Sequence, residues 1–337
     1  MATLRLGAVW RTVTGETVAV YTKINDAELK SFLIPYKFGE LLSFVGIVEG
    51  VENSNYLLLT QRGRYILTIY EKRVQRSDLP FFLRLMKHLS SHGIACPVPV
   101  TGDDGKMLRE VAGKPASVLT FVAGSGERQP GPAQCRSLGG ALAELHVAGQ
   151  DFGDQRPNDL SVTSWPMLLN RVQARADEVK VGLARDLESE IEDLVAHWPA
   201  SLPRGIIHAD LFPDNALFKG NLVSGLIDFY FACTDLFAYD LAICLNSWCF
   251  EPDGAFNATK ARLMLSAYRK GRPFSCAELD ALPLLCRAAA LRFLLTRLYD
   301  WLNSPERALV SPKDPLEYFH KLSFHRQVRG PGEYGLE

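Results

Sequence analysis

Three apolar runs early in the chain leave it few possible folds. They lie in "LLSFVGIVEGVENSNYLLLTQRGRYILTIYEKR", at about 41–47, 55–60 and 64–71. The links between them are only a few residues long. A parallel crossover needs a dozen or more, so the three strands must pair antiparallel, as a meander. The first link holds Gly46, Gly50, Asn53 and Asn55, and the second is "QRGR", both suited to turns.

Helices flank the meander. "NDAELKSFLIPY" opens with Asn25 and has Glu28 three residues on, which is a capping box. "SDLPFFLRLMKHLSSHG" reads as a longer helix, with Ser77 as cap, Pro80 in the first turn and Gly93 as stop. "KMLREVAGKPASVLTFVAG" supplies two more strands. After Gly124 the chain turns helical: "AQCRSLGGALAELHVAG", then about 164–198, 238–249, 256–270 and 276–303. Ser275 and Glu278 cap the last of these. Only 205–231 reads as strand in this half. The expected class is α+β. Residues 18–117 form a small antiparallel-sheet lobe with one main helix, 118–124 are a link, and 125–337 form a larger, mostly helical lobe. At 337 residues the chain is too long for one ordinary core, which agrees with two lobes.

Bulk properties exclude several roles. The formal net charge is −1, so the whole molecule is drawn neither to nucleic acid nor to an anionic membrane. The most apolar late segment, "LPLLCRAAALRFLLTRLYDWL", carries three arginines and reads as a buried helix rather than a membrane span. Seven scattered Cys include no C-x-x-C pair, and no His spacing suits zinc. A reduced, cytoplasmic setting is expected. "MATLRLGAVWRTVTGET" has no secretory core.

The chemistry concentrates in "GIIHADLFPDNALF" and, shortly after, "GLIDFYFACTD". "HADLFPDN" has the H-x-D-x-x-x-x-N spacing of a kinase catalytic loop. Phosphoryl transfer needs a carboxylate facing the acceptor hydroxyl and oxygen ligands that hold magnesium against the phosphates. Asp210 has the first role and Asn215 the start of the second. "ALFKGNLVSGLIDF" then gives strand, Gly220-Asn221 turn, strand and Asp228, a second carboxylate for the metal. Each residue also has a plainer reading: Asp210 or Asn215 as a turn residue, Asp228 as a strand-end cap, His208 as a structural hydrogen-bonding group. The order and spacing of all of them together favour the kinase reading.

"IHADLFPDN" and "LIDFYFACTDLFAYDLA" resemble the aminoglycoside phosphotransferase and choline kinase superfamily, whose fold is protein-kinase-like and bilobal. "GVENSNYLL", "LTIYEKRV", "LRFLLTRLYDWL" and "DPLEYFHKL" are closest to its bacterial homoserine kinases. The resemblance runs from about Val18 to the C-terminus. It implies ATP and Mg2+ as cofactors, Asp210 as catalytic base, and Asn215 and Asp228 as metal ligands. His208 and Asp240 would support the catalytic loop. "LTFVAG" becomes the hinge, where the Thr120 carbonyl and the Val122 N–H meet adenine, and the loop with Gly46, Gly50 and Asn53 covers the phosphates. One departure follows: Thr68 stands where the third-strand Lys is expected, and Phe82 where its Glu partner is. Losing both is coherent, because either charge alone would be buried unpaired. Lys72 or Arg73 are then the cations within reach of the phosphates.

The acceptor does not follow from the motifs. A zwitterionic amino alcohol needs a carboxylate for its ammonium and donors for its carboxylate. Candidates are Tyr230, Asp235, Asn246, Trp248 and either Arg292 or Arg297; five helical residues span about 140°, so at most one of these arginines faces the substrate well. Choline would favour aromatic residues, which "DFYFAC" and "NSWCF" supply, and an aminoglycoside would favour a more acidic lobe. The resemblance implies L-homoserine. The alternatives are a choline, ethanolamine or aminoglycoside kinase, or a nucleotide-binding pseudokinase. Nothing before Val18 matches the resemblance, so residues 1–17 are expected to be a start-site artefact or a disordered tail.

Overall fold

The computed structural model describes residues 22–47, 53–71, 74–304 and 311–336. Residues 1–17, Gly50, Lys72 and Arg73 lie outside them, together with the expectations placed on them. In chain order the elements are α1 (Asp26–Leu33), β1 (Leu41–Ile47), β2 (Asn53–Thr60), β3 (Gly63–Tyr70), α2 (Leu79–Ser91), β4 (Arg109–Val111) and β5 (Lys114–Thr120). There follow α3 (Pro132–Ala148), α4 (Trp165–Asn170), α5 (Gln173–Ala176), α6 (Leu183–Ala196), β6 (Arg204–Ile207), β7 (Ala216–Lys219), β8 (Leu222–Leu226) and β9 (Cys233–Leu236). The chain closes with α7 (Phe237–Trp248), α8 (Ala258–Gly271), α9 (Cys276–Asn303) and α10 (Leu316–His325).

These elements gather into two compact units. The first holds residues up to Gln129 plus Asp214–Tyr230; the second holds Pro130–Pro213 and Phe231 onward. The sequence reading assigned 214–230 to the helical lobe, whereas the structure groups these residues with the first unit. Hydrogen bonds explain the placement. Leu226 N–H donates to the Ala95 carbonyl at 2.9 Å, and Ser125 and Phe218 exchange backbone bonds at 3.0 and 2.9 Å. Gly225 lies so close to Val122 that an added Cβ would overlap its side chain.

The sheet of the first unit has the order β1-β2-β3-β5-β4, antiparallel throughout. Alternation along β3 separates two faces. Leu67 and Ile69 point to a core with Leu29, Phe32, Tyr36 and Phe38 from α1 and its following turn. Thr68 and Tyr70 point the other way. The Asn25–Glu28 capping box forms as expected, while α2 starts after Asp78 rather than on a Ser77 cap.

The second unit is built round α7. All but one residue of this helix are buried, as suits a helix apolar on every side. Burying each of Leu241, Ile243 and Leu245 contributes roughly 2 kcal/mol. α3 and α8 pack tightly on each other, because Gly139 lets α3 approach the Met264 carbonyl, where a Cβ would clash. The expected long helix at 164–198 is instead three shorter ones, α4 to α6. β6 pairs antiparallel with β9, whose four residues the sequence reading had left without structure. Among the described residues no helix is long and apolar enough to cross a membrane.

Candidate active site

β6 carries "HAD" into the second unit. His208 and Ala209 are fully buried, and both backbone N–H groups donate to Asp240 on α7, each at 2.8 Å and each to a different oxygen. A carboxylate accepting two backbone donors fixes the loop as no single bond could. Asp240 is held in turn. His146 Nε2 lies 3.0 Å from it, and His146 Nδ1 lies 2.7 Å from the Tyr268 hydroxyl. Burial depresses the His146 pKa, so the ring is neutral, donates to Asp240 and accepts from Tyr268. Burial works to raise the Asp240 pKa, but the His146 bond and the loop N–H groups bring it below the usual value.

Ala209 has φ 61°, a left-handed conformation that costs a non-glycine residue of order 1 kcal/mol. This turn leaves the next side chain, Asp210, 19% exposed beside a buried loop. Arg292 of α9 braces it from the inside. Only 2% exposed, Arg292 donates to the Ala209 carbonyl, sits 3.8 Å from the Asp210 carboxylate and stacks over Phe293 at 4.2 Å. Burial raises the Asp210 pKa above its ordinary value, and Arg292 opposes that rise. Farther along, Trp248 Nε1 donates to the Leu211 carbonyl at 2.8 Å.

Asn215 and Asp228 belong to the first unit, at the two ends of the β7–β8 hairpin. The Ile227 N–H donates to the Asn215 carbonyl at 2.9 Å, which holds the two segments side by side. Asp228 has φ 65°, so the chain swings sharply out of β8 at the carboxylate. One amide oxygen and one carboxylate, both hard oxygen donors, suit a magnesium ion that keeps water and phosphate oxygens as its other ligands. Nearby, Thr120 ends β5, and Val122 packs on the hairpin through Gly225. Gly46 lies in β1 opposite Tyr56. Asn53 is buried and accepts from the Glu71 N–H at 3.3 Å, so its side chain ties β2 to the end of β3.

The residues expected from sequence to contact the acceptor have partners within the protein, Trp248 through the Leu211 carbonyl bond already described. Asp235 is buried in β9 and accepts from Asn158 at 2.7 Å and the Leu236 N–H at 2.8 Å. Asn246 is fully buried, donates to the Ala242 and Cys286 carbonyls at 3.0 Å each, and meets His325 at 3.2 Å. Arg292 is the brace described above. The Tyr230 hydroxyl lies 3.3 Å from that of Tyr70 in the first unit. Arg297, the other arginine considered, pairs with Glu317 at 2.6 Å. Sequence reasoning missed His146, which had no motif around it, and Lys313. The exposed Lys313 lies 5.6 Å from the Phe212 ring and adds positive charge near Asp210.

Comparison with known proteins places the chain in a family. Residues 43–274 fit the profile of the phosphotransferase enzyme family. The homoserine kinase of Paramagnetospirillum magneticum is 56% identical over 326 residues, covering 95% of this chain and 100% of that protein. The homoserine kinase of Rhizobium johnstonii is 57% identical over 319 residues, covering 95% and 99%. Among solved structures, amicoumacin kinase hAmiN in complex with AMP-PNP and Ca2+ superposes with a TM-score of 0.63 at 18% identity, over 89% of this chain and 92% of that one. Choline kinase from Cryptosporidium parvum gives 0.61 at 15% identity, over 87% and 90%. These two structures show the protein-kinase-like fold. The chain therefore belongs to the phosphotransferase enzyme family, in the group formed by these homoserine kinases.

Proposed function

We propose that this protein transfers the γ-phosphoryl group of ATP to the hydroxyl of L-homoserine, giving O-phospho-L-homoserine and ADP. The near-complete alignment with homoserine kinases carries the choice of acceptor. Asp210 orients the acceptor hydroxyl and takes its proton as the new P–O bond forms. Arg292 keeps that carboxylate ionised against its burial, and Asp240 fixes the loop through two N–H bonds. Asn215 and Asp228 hold magnesium, which when bound neutralises charge on the phosphates. The Thr120 carbonyl and Val122 N–H receive the adenine edge, and the segment including Gly46 covers the phosphates. The protein works in the cytoplasm, in line with seven unpaired cysteines, six of them buried.

Replacement of the third-strand Lys and its Glu partner by Thr68 and Phe82 was the one support for a pseudokinase. Both replacements are buried and neutral, so neither leaves a charge stranded. The test is ADP release with magnesium and ATP over L-homoserine, L-serine, L-threonine, choline, ethanolamine and kanamycin, with Asp210→Asn beside the parent. Turnover with homoserine, lost in the variant, is the expected result. Turnover with choline or kanamycin instead would overturn the acceptor and leave the reaction class standing.

A further inference from the structure

The outer face of β3 carries a polar row where a buried sheet face would normally be apolar. Thr68 lies opposite Asn55 on β2 and opposite Ser117 on β5. Thr68 and Ser117 are 2% and 0% exposed, and buried hydroxyls are costly unless bonded. Here they are bonded. Thr68 Oγ1 donates to Asn55 Oδ1 at 2.8 Å, and the Tyr70 hydroxyl lies 2.6 Å from Ser117 Oγ. The Tyr70 hydroxyl also lies 3.3 Å from the hydroxyl of Tyr230. The Tyr230 ring stands edge-on to Tyr70 at 5.3 Å and to Phe82 of α2 at 5.8 Å.

Tyr230 follows Asp228 by two residues, and Asp228 is the non-glycine residue with φ 65°. Such a conformation persists only where its surroundings over-determine it. Upstream, the bond between Ile227 and Asn215 anchors the chain. Downstream, the anchor is Tyr230. We propose that Thr68, Tyr70, Ser117, Tyr230 and Phe82 form a neutral clamp that positions the Asp228 carboxylate for its metal, in place of the strand-to-helix ion pair that other kinases use. The clamp rests on the reading of Asp228 as a metal ligand. It accounts for the simultaneous loss of both charges: Tyr230 sets a ring edge-on to both Tyr70 of the strand and Phe82 of the helix and bonds the Tyr70 hydroxyl. Thr68, Tyr70, Ser117, Tyr230 and Phe82 are thus positioning residues.

The test uses the full-length protein and Mn2+ as a spectroscopic stand-in for magnesium. Free Mn2+ is titrated by electron paramagnetic resonance in the presence of AMP-PNP for the parent, Tyr230→Phe, Tyr70→Phe, Thr68→Val and Asp228→Asn. Loss of one buried hydrogen bond predicts Mn2+ affinity about fivefold weaker in Tyr230→Phe, with a matching rise in the Mg2+ needed for half-maximal turnover. The KM for homoserine should stay at the parent value, and Tm on the same samples separates a weakened metal site from a general loss of folding. Should Tyr230→Phe not fold, Tyr70→Phe removes the hydroxyl on the far side of the same bond and carries the test. Superposable Mn2+ isotherms for the parent, Tyr230→Phe and Tyr70→Phe would overturn the clamp. An unchanged isotherm in Asp228→Asn would overturn the metal role of Asp228 and the clamp with it. A parent that binds Mn2+ and AMP-PNP without phosphorylating homoserine would overturn only the acceptor, and the isotherms would still decide the clamp.

Discussion

Replacing Arg292 by Met removes a charge from the most enclosed part of the catalytic loop while keeping most of the side chain's volume. The 3.8 Å separation from Asp210 corresponds to about 4 kcal/mol of attraction at an effective dielectric of 20. Asp210 is 19% exposed, and water on that side reduces the figure to about 2 kcal/mol. The charge-assisted bond to the Ala209 carbonyl is worth roughly 1.5–3 kcal/mol more, offset by the cost of burying the guanidinium. A net loss near 3 kcal/mol is expected, seen as a fall of several degrees in Tm. Catalysis should change in a diagnostic way. Burial already raises the Asp210 pKa, and removing the opposing cation raises it further. The base must be ionised to act, so the acid limb of the kcat/KM profile moves to higher pH in Arg292→Met. kcat falls by about ten- to a hundredfold as the strained Ala209 turn loosens, with KM for ATP little changed. Arg292→Lys retains the charge and should keep the parent's acid limb at intermediate kcat. The profile is measured by coupled ADP release across pH, with Tm taken on the same samples. An acid limb and kcat in Arg292→Met indistinguishable from the parent's would refute the reasoning.

Other predictions follow from single contacts. Asp240→Asn can accept only one of the two loop N–H bonds, so kcat should fall more than tenfold, with a lower Tm by differential scanning fluorimetry. Gly225→Ala forces Val122 away from β8 and should cost about 1–3 kcal/mol while weakening ATP binding measured by calorimetry. Burial lowers the His325 pKa to about 3. A depressed histidine contributes stability that is present above its unfolded pKa near 6.5 and lost as pH falls toward the folded value, at about 1.4 kcal/mol per pH unit. Urea unfolding between pH 7 and pH 4 should show that slope, flattened in His325→Gln. Lys313→Met should raise the KM for L-homoserine but not for 3-amino-1-propanol, which lacks the carboxylate a lysine would bind. Equal effects on both would remove Lys313 from acceptor recognition.

The parts legible in the sequence were those fixed locally. Short links forced the antiparallel meander, and the capping pairs Asn25–Glu28 and Ser275–Glu278 formed where their spacing placed them. Spacing in "HADLFPDN" singled out Asp210 and Asn215 as candidates because a catalytic loop orders such residues along a short stretch of chain. β9 escaped notice because its four residues become a strand only by pairing with β6, which lies well upstream. The helix expected at 164–198 broke into α4, α5 and α6, since helical periodicity does not register a change of direction in the chain.

The acceptor residues were misjudged for a related reason. Asp235 and Asn246 were chosen because they follow Asp228 closely in the chain, yet β9 and α7 turn both side chains into the second unit's interior. In such a position a polar group must find protein partners, and Asn158, His325 and backbone carbonyls supply them. The same rule explains why the resemblance pointed to Asp240 as a support of the catalytic loop while the bracing roles of Arg292 and His146 went unseen. Arg292 and His146 reach Ala209 and Asp240 from distant helices, and a lone Arg or His in an apolar helix carries no spacing signal. Thr68 and Phe82 are the instructive middle case. The template pointed to them as the places of the missing pair, whereas the contact that joins β3 to α2 there runs through Tyr230, from a turn far along the chain. Sequence can therefore show where a charge has been lost more readily than it shows the neutral contacts that replace it. Those contacts are dispersed, whereas the lost charge leaves one recognisable gap.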